Sequence, residues 1–162
     1  MKAERALDAA RELQLLGGER TEVVFHGTSM DPLLFEDDRV LVESVRFADI
    51  EVGDIVTYRH LDRYPTRRVV AIRPGRVTLW CDAWPDQTFR ADPDDILGRA
   101  VGRIRNGYRL DATDAEWIVR RDRALRTFRR TRPRVTARRL VGALRRRLGR
   151  RLGRKRWLGD RL

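Results

Sequence analysis

Short apolar runs rich in β-branched residues, each bounded by Gly, Pro or Asp, dominate the middle of the chain. Runs of this kind are typical of strands, and six are predicted, at residues 21–25, 39–45, 54–58, 67–72, 76–80 and 97–105. Pro74-Gly75 and Asn106-Gly107 are turn signals, and an Asn-Gly pair readily takes the two positive φ angles of a type I′ hairpin. The pattern therefore predicts an antiparallel sheet.

Helical patterns flank this β segment. Residues 2–16 carry an apolar stripe before Gly17-Gly18, formed by Ala6, Leu7, Ala10, Leu13 and Leu16. Thr113 and Glu116 form a capping-box pattern, and a second helix is expected from there to about Phe128, before Pro133. We therefore expect a mainly β, antiparallel fold with flanking helices, α+β overall. It would consist of an N-terminal amphipathic helix (1–20), a β domain (21–111) and a basic helical tail (112–162).

Charge is divided unevenly between these segments. Residues 1–119 hold 17 Lys and Arg against 22 Asp and Glu, a net charge of −5, whereas residues 120–162 hold 19 against 2, a net charge of +17. A strongly basic segment favours polyanionic partners. The sequence contains no secretory signal pattern and no run of about 18 apolar residues, so we expect a cytoplasmic protein.

The single cysteine, Cys81, has no partner for an internal disulfide, and no Cys or His lies near it at metal-ligand spacing. We therefore expect no disulfide, no metal and no cofactor. Cys81 ends a predicted strand, which favours a buried, inert thiol over a nucleophile. Trp80 and Trp84 are interpreted as core aromatics or as the lining of a substrate groove.

The tail combines its arginines with an apolar stripe at helical spacing, formed by Leu140, Val141, Leu144, Leu148 and Leu152. A basic amphipathic helix suits an anionic membrane surface, and we expect residues 133–162 to hold the protein peripherally on the inner face of the membrane. One alternative is a solvated helix packed on the acidic domain. Another is nucleic-acid binding through phosphates, which is less favoured because such a tail needs no apolar periodicity.

The segment Gly27-Thr28-Ser29-Met30-Asp31-Pro32 follows the first predicted strand. The flanking glycine and proline predict a stiff, exposed bend at Ser29, which suits a nucleophile. Four later segments follow in order: Gly53-Asp54-Ile55-Val56, residues 66–72, residues 81–83 and residues 96–101. With these segments, the chain resembles the signal peptidase I family and its soluble relatives, the LexA-like repressor peptidases, over about residues 21–110.

The resemblance implies a mostly β fold and a serine endopeptidase that cleaves an extended peptide. Ser29 would be its nucleophile, and Gly27 and Met30 belong to the same motif. The family's base, a lysine or histidine, stands just before an Arg-Val-Val strand, which is the position of Arg67 here. The remaining matches to family positions are Arg68, Asp82 and Gly98.

Arg67 departs from the family pattern. A general base must accept a proton near neutral pH, whereas an arginine guanidinium keeps its proton and has no acceptor. The two lysines, Lys2 and Lys155, lie outside the matching region. His60 is an alternative base if its loop folds back over Ser29, whereas His26 is expected on the opposite face of an extended chain.

Three functions follow from these features. The first is a signal-peptidase-like serine endopeptidase whose activity is weak or lost. The second is a catalytically dead protein that binds an extended peptide by strand addition, and the third is a nucleic-acid-binding protein.

At the site, Ser29 is expected at the mouth of a groove, with its backbone N–H directed at a substrate carbonyl. Asp82 is expected to accept hydrogen bonds from Arg68 and so to support the site.

Overall fold

The computed structural model describes residues 17–18, 20–61 and 63–131. Among these residues the fold is mainly β, with eight strands in one antiparallel sheet, one flanking α-helix and two short 3-10 helices, Phe47–Asp49 and Pro93–Asp95. The strands are β1 (Arg20–Val24), β2 (Arg39–Glu43), β3 (Ile55–Tyr58), β4 (Thr66–Arg73), β5 (Arg76–Trp80), β6 (Thr88–Ala91), β7 (Ile96–Arg105) and β8 (Tyr108–Asp111). The helix, α1, covers residues 115–131 of the described part. The predicted helix at residues 2–16 and the tail segment 133–162 lie outside the described residues.

The strand order across the sheet is β1-β2-β7-β3-β4-β5-β6, and β8 pairs with β7. The predicted antiparallel sheet is confirmed, and the six predicted strands are present with ends shifted by at most two residues. The structure adds β8, the return strand of the hairpin at Asn106-Gly107, where both residues take the positive φ that a type I′ turn needs. It also adds β6, whose four residues are too few for a hydrophobic alternation to be recognised.

Two clusters of buried side chains form most of the core. The first joins the segment after β1 to strands β2, β3, β7 and β8, and the second joins β3, β4, β5 and β6. β3 contributes to both clusters, because Ile55 and Val56 point to opposite faces of the strand. The centre of the sheet is therefore covered on both sides, and the loop after β1 provides part of one cover.

The helix α1 packs on this sheet. Trp117 is buried in the first cluster, and the ring of Phe128 meets that of Trp80 edge-on, with the centroids 5.4 Å apart. Residues up to 131, in the first part of the segment predicted as a basic tail, therefore share the core with the β domain. Trp80 belongs to this core, whereas Trp84 is 41% exposed. Neither α1 nor any other helix in the described ranges is long and apolar enough to span a membrane.

Candidate active site

The loop between β1 and β2 carries the Ser29 motif, and hydrogen bonds join its two ends. Phe25 N–H donates to the Asp38 carbonyl, and Asp37 N–H donates to the Phe25 carbonyl. Arg105 of β7 binds both carboxylate oxygens of Asp38, at 2.7 and 2.6 Å. Gly27 takes a φ of +95°, a conformation that residues with a Cβ rarely adopt. A buried ion pair and a glycine turn therefore fix the entry to the motif.

The sheet curves so that this loop reaches β4. β1 and β4 are four places apart in the strand order, which would separate them by about 19 Å in a flat sheet. Ser29 follows the end of β1 by only five residues, and the chain turns back on itself between Thr28 and Leu34. Ser29 nevertheless hydrogen-bonds Arg67 of β4. Curvature of the sheet, which no local sequence pattern reports, brings the two residues together.

Ser29 is buried, with 3% of its surface exposed. The expected position at the open mouth of a groove is therefore wrong. The physical reason is Met30, which is fully buried in the first core cluster and holds the loop inward. The Ser29 carbonyl accepts the N–H of Ala83 at 3.2 Å. The Ser29 N–H itself donates to no acceptor among the described residues.

Arg67, which the resemblance aligns with the family's base, contacts the Ser29 hydroxyl directly. Its Nη1 donates to Ser29 Oγ at 2.8 Å and to the Thr66 carbonyl at 2.7 Å. The guanidinium carbon lies 5.5 Å from the centre of the Phe89 ring, within cation–π range. In the contact with Ser29 the hydroxyl oxygen is the acceptor, because a guanidinium has only donors. The two residues expected as nucleophile and base position are thus adjacent, but the contact removes no proton.

Arg68 points to the opposite face of β4. Its Nε and Nη2 bind the Asp82 carboxylate at 2.8 and 2.5 Å, and its Nη1 donates to the Gly53 carbonyl at 2.8 Å. The predicted hydrogen bond between Arg68 and Asp82 is therefore present, and both side chains are buried. Burial raises the pKa of Asp82, and the Arg68 guanidinium opposes this shift. The pair ties β4 to the turn before β3 and to the segment after β5.

Two more titratable groups, Cys81 and Tyr58, lie close enough to Arg67 to be affected by its charge. Burial raises the pKa of the Cys81 thiol, and the charge of Arg67 opposes the shift. Burial likewise raises the pKa of Tyr58, again against the charge of Arg67. Both groups are therefore protonated at neutral pH, and neither supplies a base. Cys81 is fully buried, as expected for an inert thiol.

The two histidines lie apart from this cluster. His60 is exposed in the loop after β3, where its backbone pairs with Arg63 and its ring lies 6.1 Å from that of Tyr58. His26 is exposed, and its Nδ1 lies 3.2 Å from Oε1 of Glu36, whose other oxygen, Oε2, accepts the Gly27 N–H. Neither histidine hydrogen-bonds Ser29 in the described part of the chain. The alternative base, His60, is therefore not brought to the hydroxyl.

His26 and Glu36 also form, with Asp37, a group of potential metal ligands. Their ligand atoms lie within 4.8 Å of one another. All three side chains are exposed, and exposed acidic groups of this kind are common without an ion. The absence of a metal stays a prediction.

A cavity of about 570 Å³ lies beside the motif, between the loop after Ser29 and α1. Asp31, Trp80, Asp82, Val119 and Arg123 are among its lining residues. Asp31 Oδ1 is buried without a hydrogen-bond partner among the described residues, and burial raises the pKa of Asp31. Neither Ser29 nor Arg67 lines this cavity, so it is separate from their contact.

The family resemblance depends on two motifs that now have positions in the fold. Gly27 to Pro32 forms the loop that carries Ser29, and Gly53 to Val56 forms the turn into β3 and the first half of that strand. Gly53 has a φ of +107°, so the second motif contains a conformation that favours glycine. Because no protein-family model and no curated protein matches the chain, the resemblance to the signal peptidases rests on these motifs and on the order of the later segments.

Proposed function

We propose that this chain is a signal-peptidase-like protein that binds an extended peptide at Ser29 and Arg67 and has lost the general base of the peptidases. The observation that carries the proposal is the hydrogen bond from Arg67 Nη1 to Ser29 Oγ. A base would accept the hydroxyl proton, whereas the guanidinium offers another proton to the same oxygen. Ser29 is therefore held as a hydrogen-bond acceptor and is not activated as a nucleophile.

The edge of the sheet supports the peptide-binding part of the proposal. β1 is the end strand of the sheet order and runs directly into the Ser29 loop. The outer edge of such a strand carries N–H and C=O groups that a further strand can pair with. An extended peptide added along β1 would lead toward the free N–H of Ser29.

The reaction of Ser29 with a fluorophosphonate probe tests the missing base. We expect no labelling of the wild-type protein above that of Ser29→Ala. Arg67→Lys or Arg67→His should restore labelling, because general-base catalysis contributes about 10²- to 10⁴-fold. Arg90→Lys is the matched control, since Arg90 is exposed on β6, two strands from β4, and the change leaves Ser29 untouched.

Two outcomes would contradict this proposal. If wild-type Ser29 is labelled as fast as Ser29 in Arg67→Lys, the protein is an active peptidase and a residue other than residue 67 is its general base. His60→Ala would then test the alternative base. Restored labelling that persists in the double variant Ser29→Ala/Arg67→Lys would assign the reactivity to another residue.

The tail supports a second, independent part of the proposal, namely a cytoplasmic protein held peripherally at the inner face of the membrane. Its support is the net charge of +17 on residues 120–162 together with the leucine stripe of residues 140–152. Such a segment fits an anionic lipid surface better than it fits nucleic acid, because phosphate contacts alone require no apolar face. Its test is described with the whole molecule below.

A further inference from the structure

The Ser29 centre is rich in hydrogen-bond donors that have no acceptor. The Ser29 N–H donates to no described acceptor, and Arg67 Nε is buried without a hydrogen-bond partner. Arg68, the next residue, has donors from all three of its nitrogens bonded to Asp82 or Gly53. A buried donor without an acceptor is costly, so a ligand that supplies acceptor oxygens would be stabilised at Arg67 and not at Arg68.

Arg67 also lacks a counter-ion within the described part of the chain. No described carboxylate lies within ion-pair distance of its guanidinium, whereas the neighbouring Arg68 pairs with Asp82. The face of Phe89 lies beside the guanidinium and offers no hydrogen-bond acceptor atom, so Nε stays without a partner while Nη1 donates to Ser29 and Thr66. A partly buried arginine with free donors favours an anion whose oxygens can meet its planar fork.

The position of these donors selects one kind of anion. An oxyanion donor at a peptidase serine receives the carbonyl oxygen of an extended peptide. In an uncut peptide, the next atom is an amide nitrogen, which carries a donor N–H and has no acceptor to offer a guanidinium. In a peptide that ends at this point, that nitrogen is replaced by a second oxygen and a negative charge, which a guanidinium binds well.

We propose that the Ser29 and Arg67 centre binds the free C-terminal carboxylate of a peptide. One carboxylate oxygen accepts the Ser29 N–H, and the other accepts donors of Arg67. This inference rests on the proposed function, and it adds that the ligand resembles the product of a peptidase rather than its substrate. The arginine at position 67 then has a function of its own, because it binds a carboxylate where the peptidases have a general base.

Two peptide pools test this inference on the full chain. Both contain N-acetylated pentapeptides with four randomised positions, free of Asp and Glu, and a C-terminal alanine. One pool ends in a free carboxylate and the other in a carboxamide. An equal mixture is passed over the immobilised protein, and the retained peptides are quantified by mass spectrometry. We expect the acid form to be enriched about 10- to 100-fold over the amide form, the range for a hydrogen bond to a charged group.

Three variants separate Arg67 from the general positive charge of the chain. Arg67→Gln should abolish the enrichment, and Arg67→Lys should keep only part of it, because lysine has the charge without the planar fork. Arg90→Gln removes the same charge from an exposed position and should leave the enrichment intact. This control matters because the basic tail attracts any anionic peptide.

The possible failures are distinguishable. Equal retention of both pools above empty resin would overturn the carboxylate inference and leave the proposed peptide binding intact. Acid enrichment that survives Arg67→Gln would assign the carboxylate to another cation and would also overturn it. Retention of neither pool would contradict peptide binding itself, and with it the proposed function.

Discussion

Arg67 and Arg68 are adjacent residues of one type in opposite environments. Successive side chains of a strand point to opposite faces, so the two guanidinium groups never share a partner. Arg68 is fully buried and bound to Asp82 and Gly53, whereas Arg67 is partly buried and contacts Ser29. The first is part of the framework of the fold, and the second is the centre of the candidate site.

Replacing Asp82 should destabilise the protein. Asp82→Asn leaves the Arg68 charge buried without a counter-ion, and breaking a buried ion pair in this way costs about 3 kcal/mol or more. Urea unfolding followed by tryptophan fluorescence measures the loss. Asp49→Asn breaks an exposed pair with Arg46 and serves as the matched control, for which we expect little change. Equal stability of Asp82→Asn and wild type would show that Asp82 does not support the site.

At the scale of elements, two close approaches position the site. Gly98 of β7 lies so near β2 that a Cβ there would be 2.6 Å from the Glu43 carbonyl oxygen, which explains a glycine at this strand position. The β1–β2 loop is closed by Asp38 and Arg105 at its base and by Glu36 at Gly27. These contacts fix where the loop leaves β1, and therefore where Ser29 meets β4.

The carboxylate of Glu36 should make the loop entrance sensitive to acid. Its hydrogen bonds from the Gly27 N–H and from His26 hold the pKa of Glu36 below its usual range. A carboxylate whose pKa is lowered on folding stabilises the folded form above its unfolded pKa, and this contribution is lost as the pH falls through the folded value. We therefore expect the Gly27 amide chemical shift to titrate at a pH below the usual range of a glutamate carboxyl group.

Two variants check the assignment of this titration by NMR. Glu36→Gln should abolish it, because the amide cannot lose a proton in this range. Glu51→Gln changes another exposed glutamate away from the loop and should leave the Gly27 titration in place. A Gly27 shift that titrates unchanged in Glu36→Gln would mean that another group controls the loop entrance.

At the scale of the whole molecule, the positive charge is concentrated toward the C-terminal end of the sequence. The described core includes Trp117 and Phe128 of α1. The excess of positive charge and the leucine stripe continue beyond that point in the sequence. In the sequence, the segment expected to bind an anionic surface therefore follows the last core residue of the described part of the chain.

Deletion of residues 133–162 should leave the β domain folded and abolish binding to anionic liposomes. Folding is checked by circular dichroism, and binding by co-sedimentation with vesicles of phosphatidylglycerol and phosphatidylcholine. The double variant Leu144→Ser/Leu148→Ser keeps every positive charge but loses part of the apolar stripe. Loss of vesicle binding in this variant would show that binding requires the apolar side chains and not the positive charge alone. Vesicle binding by the truncated chain would contradict the prediction. Strong, salt-dependent DNA binding by the intact chain would favour the nucleic-acid alternative.

The sequence by itself determined six of the eight strands, the hairpin turn at Asn106-Gly107, the helix after Thr113 and the division of charge, because each depends on residues close together in the chain. It also pointed to Ser29 and Arg67 through their motifs. The tertiary structure alone decided that Ser29 is buried, that Arg67 donates to its hydroxyl, and that Phe89 lies beside the guanidinium. These contacts join residues far apart in the chain, and they exist because a curved sheet brings the loop after its end strand onto β4.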